Sequence, residues 1–367
     1  MARISVASGL PDFPWDSLSE AKAVAQRHPD GIVNLSVGTP VDPVAPIIRD
    51  ALASVSDEPG YPTTVGTPEL RTAAVDALAR RYGVTGVSVD AVLPAIGTKE
   101  MIAWLPTLLG LGSGDLVVIP ELAYPTYEVG ALLAGARIVR ADGLNRLGPE
   151  NAALIFVNSP SNPTGKVLPV DHLRKVVAWA RERDAVVVSD ECYLGLTWEA
   201  DSVSILDPRV CDGDHTNLLA VHSLSKTSNL ASYRAGFVAG DPALVKDLLE
   251  VRKHAGMIVP LPVQAAMTVA LTDDEHENEQ RERYRARRTD LKNAVEKAGF
   301  SVDHSEAGLY LWATRGEPCR DTVDWLAERG ILAAPGEFYG PGGAQHVRIA
   351  LTATDERICS AVERLTV

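Results

Sequence analysis

The chain's 367 residues exceed the ~250–300 that one hydrophobic core usually organises, so two domains are expected. Its 46% hydrophobic and 23% charged residues are an ordinary globular composition. A formal charge of −13 argues against nucleic acid or an anionic membrane as partner, and no apolar run approaches the ~20 residues of a membrane span.

The four cysteines (Cys192, Cys211, Cys319, Cys359) form no CxxC pair and the eight histidines no HExxH, so neither a zinc site nor a disulfide framework is expected. Met1 to Asp16 has no apolar core ahead of a cleavage site, which reads as no secretory signal and a cytoplasmic location.

Along the chain, the first clear element is a helix opening at Thr67-Pro68-Glu69, a cap residue followed by proline at the first helical position. It places Leu70, Ala73, Ala74, Ala77 and Leu78 on one face and ends near Gly83. Gly97-Thr98-Lys99-Glu100 then leads into a second, apolar helix. Gly110-Leu-Gly112-Ser-Gly114 resembles a dinucleotide fingerprint but runs from helix into strand, the reverse of the Rossmann order. Apolar runs at Leu116–Ile119, Leu154–Val157, Ala185–Val188 and Leu218–Val221, separated by helical patterns, predict strands of a parallel sheet buried on both faces. Asp273 to Arg288 is a charge run, expected to be a solvated connecting helix. Strand and helix patterns then resume to Val367, with turns at Gly299, Gly308 and Gly336. The expected division is an arm with part of a small domain over 1–40, a large domain over 41–265, and the rest of the small domain over 266–367.

In open α/β sheets ligands sit beyond the carboxyl ends of the strands. Tyr124 follows the first of these runs, Asn162 the second, Asp190 the third, and Ser223, Ser225 and Lys226 the fourth. Each alone has a plain explanation: a solvated loop lysine, a helix cap, a turn sequence. Four strand ends delivering polar groups to one side is the arrangement of a shared active-site crevice.

The ordered motifs are Gly97-Thr-Lys99, Tyr124-Pro-Thr-Tyr127, Asn162-Pro-Thr-Gly165, Ser189-Asp-Glu-Cys-Tyr193, Ser223-Leu-Ser-Lys226 with Arg234 eight residues on, and Val347-Arg348-Ile-Ala. Together, from about Val33 to the C-terminus, the chain resembles the fold type I pyridoxal-phosphate (PLP) aminotransferases of the class I/II group. That resemblance implies a large α/β domain with a mainly parallel central sheet between helices, plus a smaller α+β domain. It implies PLP as cofactor, with Lys226 as Schiff-base lysine and proton shuttle, and Asp190 beside the pyridine nitrogen, whose protonation makes the ring an electron sink. Asn162 and Tyr193 resemble the donors to the phenolic oxygen, and Tyr124 the aromatic on the ring face. Gly97, Thr98, Lys99, Ser223, Ser225 and Arg234 resemble the phosphate cup. Arg348 resembles the arginine that takes the substrate carboxylate, with Gly38 on a loop closing over it. Tyr61 resembles a tyrosine that reaches the neighbouring subunit's phosphate, which implies a homodimer with interfacial sites.

Within the group, Gly9-Leu-Pro-Asp-Phe-Pro-Trp-Asp16, Leu35-Ser-Val-Gly-Thr-Pro-Val-Asp-Pro43 and Gly336-Glu-Phe-Tyr-Gly340 through Arg348-Ile-Ala-Leu-Thr-Ala-Thr354 look most similar to bacterial N-succinyl-LL-diaminopimelate aminotransferases. Those pass an amino group between L-glutamate and a succinylated oxo-pimelate in lysine biosynthesis. Alternatives are another class I/II aminotransferase (aspartate-, aromatic- or LL-diaminopimelate-type) or a carbon–sulfur β-lyase. A transcription regulator's aminotransferase-like sensor domain would need a helix-turn-helix segment that the roughly thirty residues before Val33 are too few to supply.

Overall fold

Local signals set several element boundaries in the computed structural model, which describes residues 5–148 and 150–366. The helix Pro68–Tyr82 begins where the Thr67 side chain accepts the Leu70 amide at 3.2 Å, and it stops at Gly83, whose φ of 68° suits glycine. Its buried face is Leu70, Ala73, Ala74, Ala77 and Leu78, as the periodicity predicts.

A seven-stranded sheet forms the centre: β1 (Val92–Ile96), β2 (Leu116–Ile119), β3 (Arg137–Arg140), β4 (Leu154–Asn158), β5 (Val186–Asp190), β6 (Leu218–Ser223) and β7 (Ala235–Gly240). The spatial order is β1-β7-β6-β5-β4-β2-β3. The run from β6 to β3 is parallel, and β7 lies antiparallel to both its neighbours. In register, Asn158 sits opposite Asp190, and Asp190 opposite Val221, so the carboxyl ends of β4, β5 and β6 are level. Helices cover both faces, which is why these strands are apolar throughout rather than alternating. Thr98–Leu108, Thr126–Ala134 and Pro242–Ala255 pack on one side; Pro68–Tyr82, Val170–Arg181 and Leu261–Thr272 pack on the other.

A second core surrounds a smaller antiparallel sheet of β8 (Ser301–Asp303), β9 (Tyr310–Thr314), β10 (Ala334–Pro335) and β11 (Val347–Ala350), ordered β10-β11-β9-β8. Leu18, Ala25, Val33 and Leu35 from the N-terminal segment pack into this core, and Val33–Asn34 pairs in parallel with Ile331–Leu332. Ala266, Met267, Ala270 and Leu271 instead pack in the large core, so helix Leu261–Thr272 sides with the large body beyond the expected boundary at 265.

The charge run does form a helix, Glu275–Lys297, but it is not solvated all round. His276, Glu277, Gln280, Tyr284, Arg287 and Arg288 are buried. Arg287 lies 2.7 Å from both Asp42 and Asp355, and Arg288 meets Glu199, so burial is compensated by pairing. Among the described residues no helix is long and apolar enough to cross a membrane, and no acid, histidine and cysteine cluster could hold a metal.

Candidate active site

Asp190 ends β5 with its carboxylate buried. The Tyr127 hydroxyl donates to its Oδ2 at 2.7 Å and the Cys192 amide to its Oδ1 at 3.2 Å. No cation pairs with it among the described residues, and burial pushes its carboxyl above the ordinary range. A cationic ring nitrogen placed there would supply the missing charge. The Asn158 side chain ties the neighbouring ends together, donating to the Asp190 carbonyl at 2.9 Å and accepting the Asn162 amide at 2.7 Å. The Tyr124 ring stands edge-on to Tyr127, 5.9 Å between centroids, and burial pushes its phenol up to about 12.

Lys226 leaves the loop after β6, and its ammonium donates to the Gly38 carbonyl. Burial pushes its pKa down, toward the neutral amine that attacks an aldehyde. Gly38, Tyr193 and Arg348 gather around Tyr310. The Tyr193 and Tyr310 hydroxyls are 3.0 Å apart, and the Arg348 guanidinium lies 3.9 Å from the Tyr310 ring centroid. Arg348 is buried, donates to Asn162 Oδ1 at 2.9 Å and the Ser36 carbonyl at 2.8 Å, and leaves its Nε without a partner. No carboxylate of the described residues pairs with it. A buried guanidinium so placed costs several kcal/mol unless an anion arrives. With its Oδ1 engaged, Asn162 keeps its amide NH2 free to donate elsewhere.

The helix Thr98–Leu108 starts at Gly97 with no side-chain cap, leaving its first amides for an anion. Gly97 has φ +74°, and a Cβ there would fall 2.2 Å from the Arg234 guanidinium, so only glycine fits this turn. Thr98 lies against Gly236, which pairs with Ser223 in the β6–β7 ladder, and the Ser225 amide donates to Ser223 Oγ at 3.1 Å. Gly97, Thr98, Ser223, Ser225 and Arg234 therefore share one corner. The Lys99 side chain does not join them; it is exposed, with Nζ 5.6 Å from the Phe13 ring centroid. Only its backbone can serve the cup. Tyr61 is 98% exposed and is not brought to the site of its own chain.

Sequence reading missed Tyr127, Asn158 and Tyr310. Tyr127 lies inside a quoted motif and could have been found as the helix residue one turn on from Tyr124; nothing local marks Tyr310. Behind β5 and β6, Glu191 Oε2 and His222 Nε2 face each other at 3.3 Å without hydrogen-bond geometry, both buried. Burial pushes the Glu191 carboxyl up to about 7 and the His222 imidazole down to about 3.

These groups fit pyridoxal phosphate: a buried carboxylate lacking a cation, a helix start lacking a cap, and a buried amine. The architecture is that of the fold type I PLP enzymes. The family model for aminotransferase class I and II matches residues 30–365, and the chain belongs to that family. It is a PLP-dependent aminotransferase acting on amino acids and their oxo acids. It is 70% identical, over 100% of its own length and 87% of the relative's, to a probable aminotransferase of Mycobacterium tuberculosis. It is 60% identical to the 4-dedimethylamino-4-oxo-anhydrotetracycline transaminase of Streptomyces rimosus, covering 97% and 99% of the two chains. The solved structure of a probable N-succinyldiaminopimelate aminotransferase from Thermus thermophilus superposes with TM-score 0.86 at 29% identity, over 96% of this chain and 99% of that one.

Proposed function

We propose that the enzyme transfers an amino group between L-glutamate and the 6-oxo carbon of an N-succinylated pimelate, working as a homodimer. The observation that carries the reading is Arg348, a buried cation with no anion of its own beside Lys226 and Asn162. A substrate α-carboxylate completes it bidentately and so orients the bond to the α-hydrogen. PLP, when bound, supplies the sink for charge developing at the α-carbon. Lys226, its buried Nζ beside the Gly38 carbonyl, would hold the cofactor's aldehyde carbon at rest and, as a free amine, would move the proton from the substrate α-carbon to that carbon. Asp190 would keep the ring nitrogen protonated, Asn162 and Tyr193 would donate to the phenolic oxygen, and Tyr124 would cover the ring. The Gly97–Lys99 amides, Ser223, Ser225 and Arg234 would hold the phosphate, Gly38 would lie over the substrate, and exposed Tyr61 would complete the partner's cup.

The succinyl substrate is supported by the likeness to the Thermus protein. A bulky cyclic ketone is the second reading, favoured by the 60% identity to the Streptomyces transaminase. The test is a stopped-flow survey of the PLP-loaded dimer. L-Glutamate and N-succinyl-LL-diaminopimelate should each convert the visible band, and Lys226→Ala protein should yield no borohydride-reducible link. Faster conversion by a polycyclic amine than by the succinylated substrate would install the second reading. Pyruvate release from cystathionine without an acceptor would replace transamination with elimination.

A further inference from the structure

Tyr310 opens β9, and Arg348 sits on β11; in the ladder Tyr310 faces Ala350 and Trp312 faces Arg348. Tyr310 and Arg348 are thus diagonal neighbours on one face of the small sheet, within reach of long side chains. The guanidinium carbon lies over the ring, 3.9 Å from its centroid, close enough for the ring to steer the fork. The Tyr310 hydroxyl points the other way, to Tyr193 Oη at 3.0 Å, beside the loop that receives Lys226. Gly38 makes this possible: a Cβ at position 38 would fall 2.1 Å from the Tyr310 hydroxyl.

We infer that Tyr310 is a positioning residue for transamination, its ring orienting Arg348 for the substrate carboxylate and its hydroxyl donating to Tyr193 so that the Tyr193 proton is left for the cofactor. This deepens the assignment of Tyr193 and Arg348 and rests on it. The direction of the hydrogen bond is part of the inference: with Tyr193 assigned to the phenolic oxygen, the Tyr310 hydroxyl, 3.0 Å away, is the one left to donate. Burial opposes ionisation of Tyr310, but the Arg348 and Lys226 charges beside it outweigh that and pull its phenol below the ordinary range. Burial holds the Tyr193 phenol well above the ordinary range, so it keeps its proton for a partner on its other side. The other titratable groups facing Tyr310 are Cys192 from the β5 end, Tyr124 from the β2 end, Tyr339 from the 336–339 turn and Tyr284 from the long helix. All are neutral at pH 7, since burial holds their pKa values up. A donor whose own oxygen already accepts a hydrogen bond donates more strongly, so Tyr310 strengthens the Tyr193 bond to the phenolic oxygen.

Three variants separate ring from hydroxyl. In the apo protein, ultraviolet titration should show a phenol ionising below the ordinary range that Tyr310→Phe abolishes. In the PLP-loaded protein, Tyr310→Phe should raise the pH midpoint of the visible band by roughly one unit, a tenfold change, because a less solvated phenolic oxygen holds its neighbouring proton more tightly. Gly38→Ala should move it the same way by displacing the hydroxyl. Tyr310→Phe keeps the ring and should leave KM for the amino donor within about twofold, whereas Tyr310→Leu should raise it about tenfold or more. Loss of the early phenol without a shifted band midpoint would overturn the link to Tyr193. A KM for Tyr310→Leu equal to that of Tyr310→Phe would overturn the link to Arg348. Retention of the early phenol in Tyr310→Phe apo protein would overturn the inference independently of the cofactor assignments.

Discussion

Replacing Arg348 by lysine tests whether a forked donor, and not merely a positive charge, is what the site requires. Arginine carries five N–H donors, and two are spent on Asn162 Oδ1 and the Ser36 carbonyl, at 2.9 and 2.8 Å. Two of the remaining three suffice for a bidentate carboxylate. Lysine keeps the charge but offers one ammonium, which cannot hold both the protein acceptors and both carboxylate oxygens. One charge-assisted bond to substrate is worth about 1.5–3 kcal/mol, so kcat/KM for amino acids should fall roughly 10- to 150-fold. An acceptor left unpaired on the protein side costs a further ~1–3 kcal/mol of stability, visible as a lower Tm. The assay is the concentration dependence of the half-reaction with an L-amino acid and with the corresponding amine lacking the carboxylate. The amine's rate should change little between wild type and Arg348→Lys. Equal losses for both compounds, or a loss below twofold for the amino acid, would refute the carboxylate role.

Gly97→Ala places a methyl group 2.2 Å from Arg234 in a backbone region that suits glycine, so apo protein should bind PLP at least about tenfold more weakly by fluorescence titration; unchanged affinity would remove this turn from the phosphate cup. The Glu191–His222 pair makes a signed prediction for apo stability against pH. Folded Glu191 holds its proton up to about pH 7, so its contribution falls as pH rises from 4.5 to that value; folded His222 stays neutral down to about pH 3, so its contribution falls as pH drops below 6.5. Between 4.5 and 6.5 the two slopes oppose. Thermal melts should therefore show Glu191→Gln gaining stability with rising pH and His222→Asn losing it, and slopes of the same sign in both would end this account.

The charged helix and Tyr61 mark the limits of reading along the chain. Charge periodicity describes the solvent-facing side of Glu275–Lys297 correctly but cannot reveal that Asp42 and Asp355, remote in sequence, wait for Arg287. Tyr61 stands 98% exposed in the single chain, so the fold of that chain gives it no place in the site the sequence reading assigned it to.

What the sequence determined by itself was whatever short-range chemistry dictates. Apolar runs place β2, β4 and β6 within about a residue of their observed starts, and β5 likewise. Thr67, Pro68 and Gly83 bound their helix because caps act over three or four residues. The placement of Lys226 and Asn162 just beyond strands, and of Asp190 at the end of one, was legible because strand ends of a parallel sheet lie on one edge. The tertiary structure decided what depends on register and on distance along the chain. Tyr310 reaches Arg348 only because β9 and β11 pair with this offset, and reaches Tyr193 only because the turn after β5 packs into the same core as the small sheet. Tyr127 meets Asp190 across 63 residues because helix Thr126–Ala134 packs on the large sheet over β4 and β5. Side-chain partners of this kind are set by the packing of whole sheets, and no local pattern encodes them.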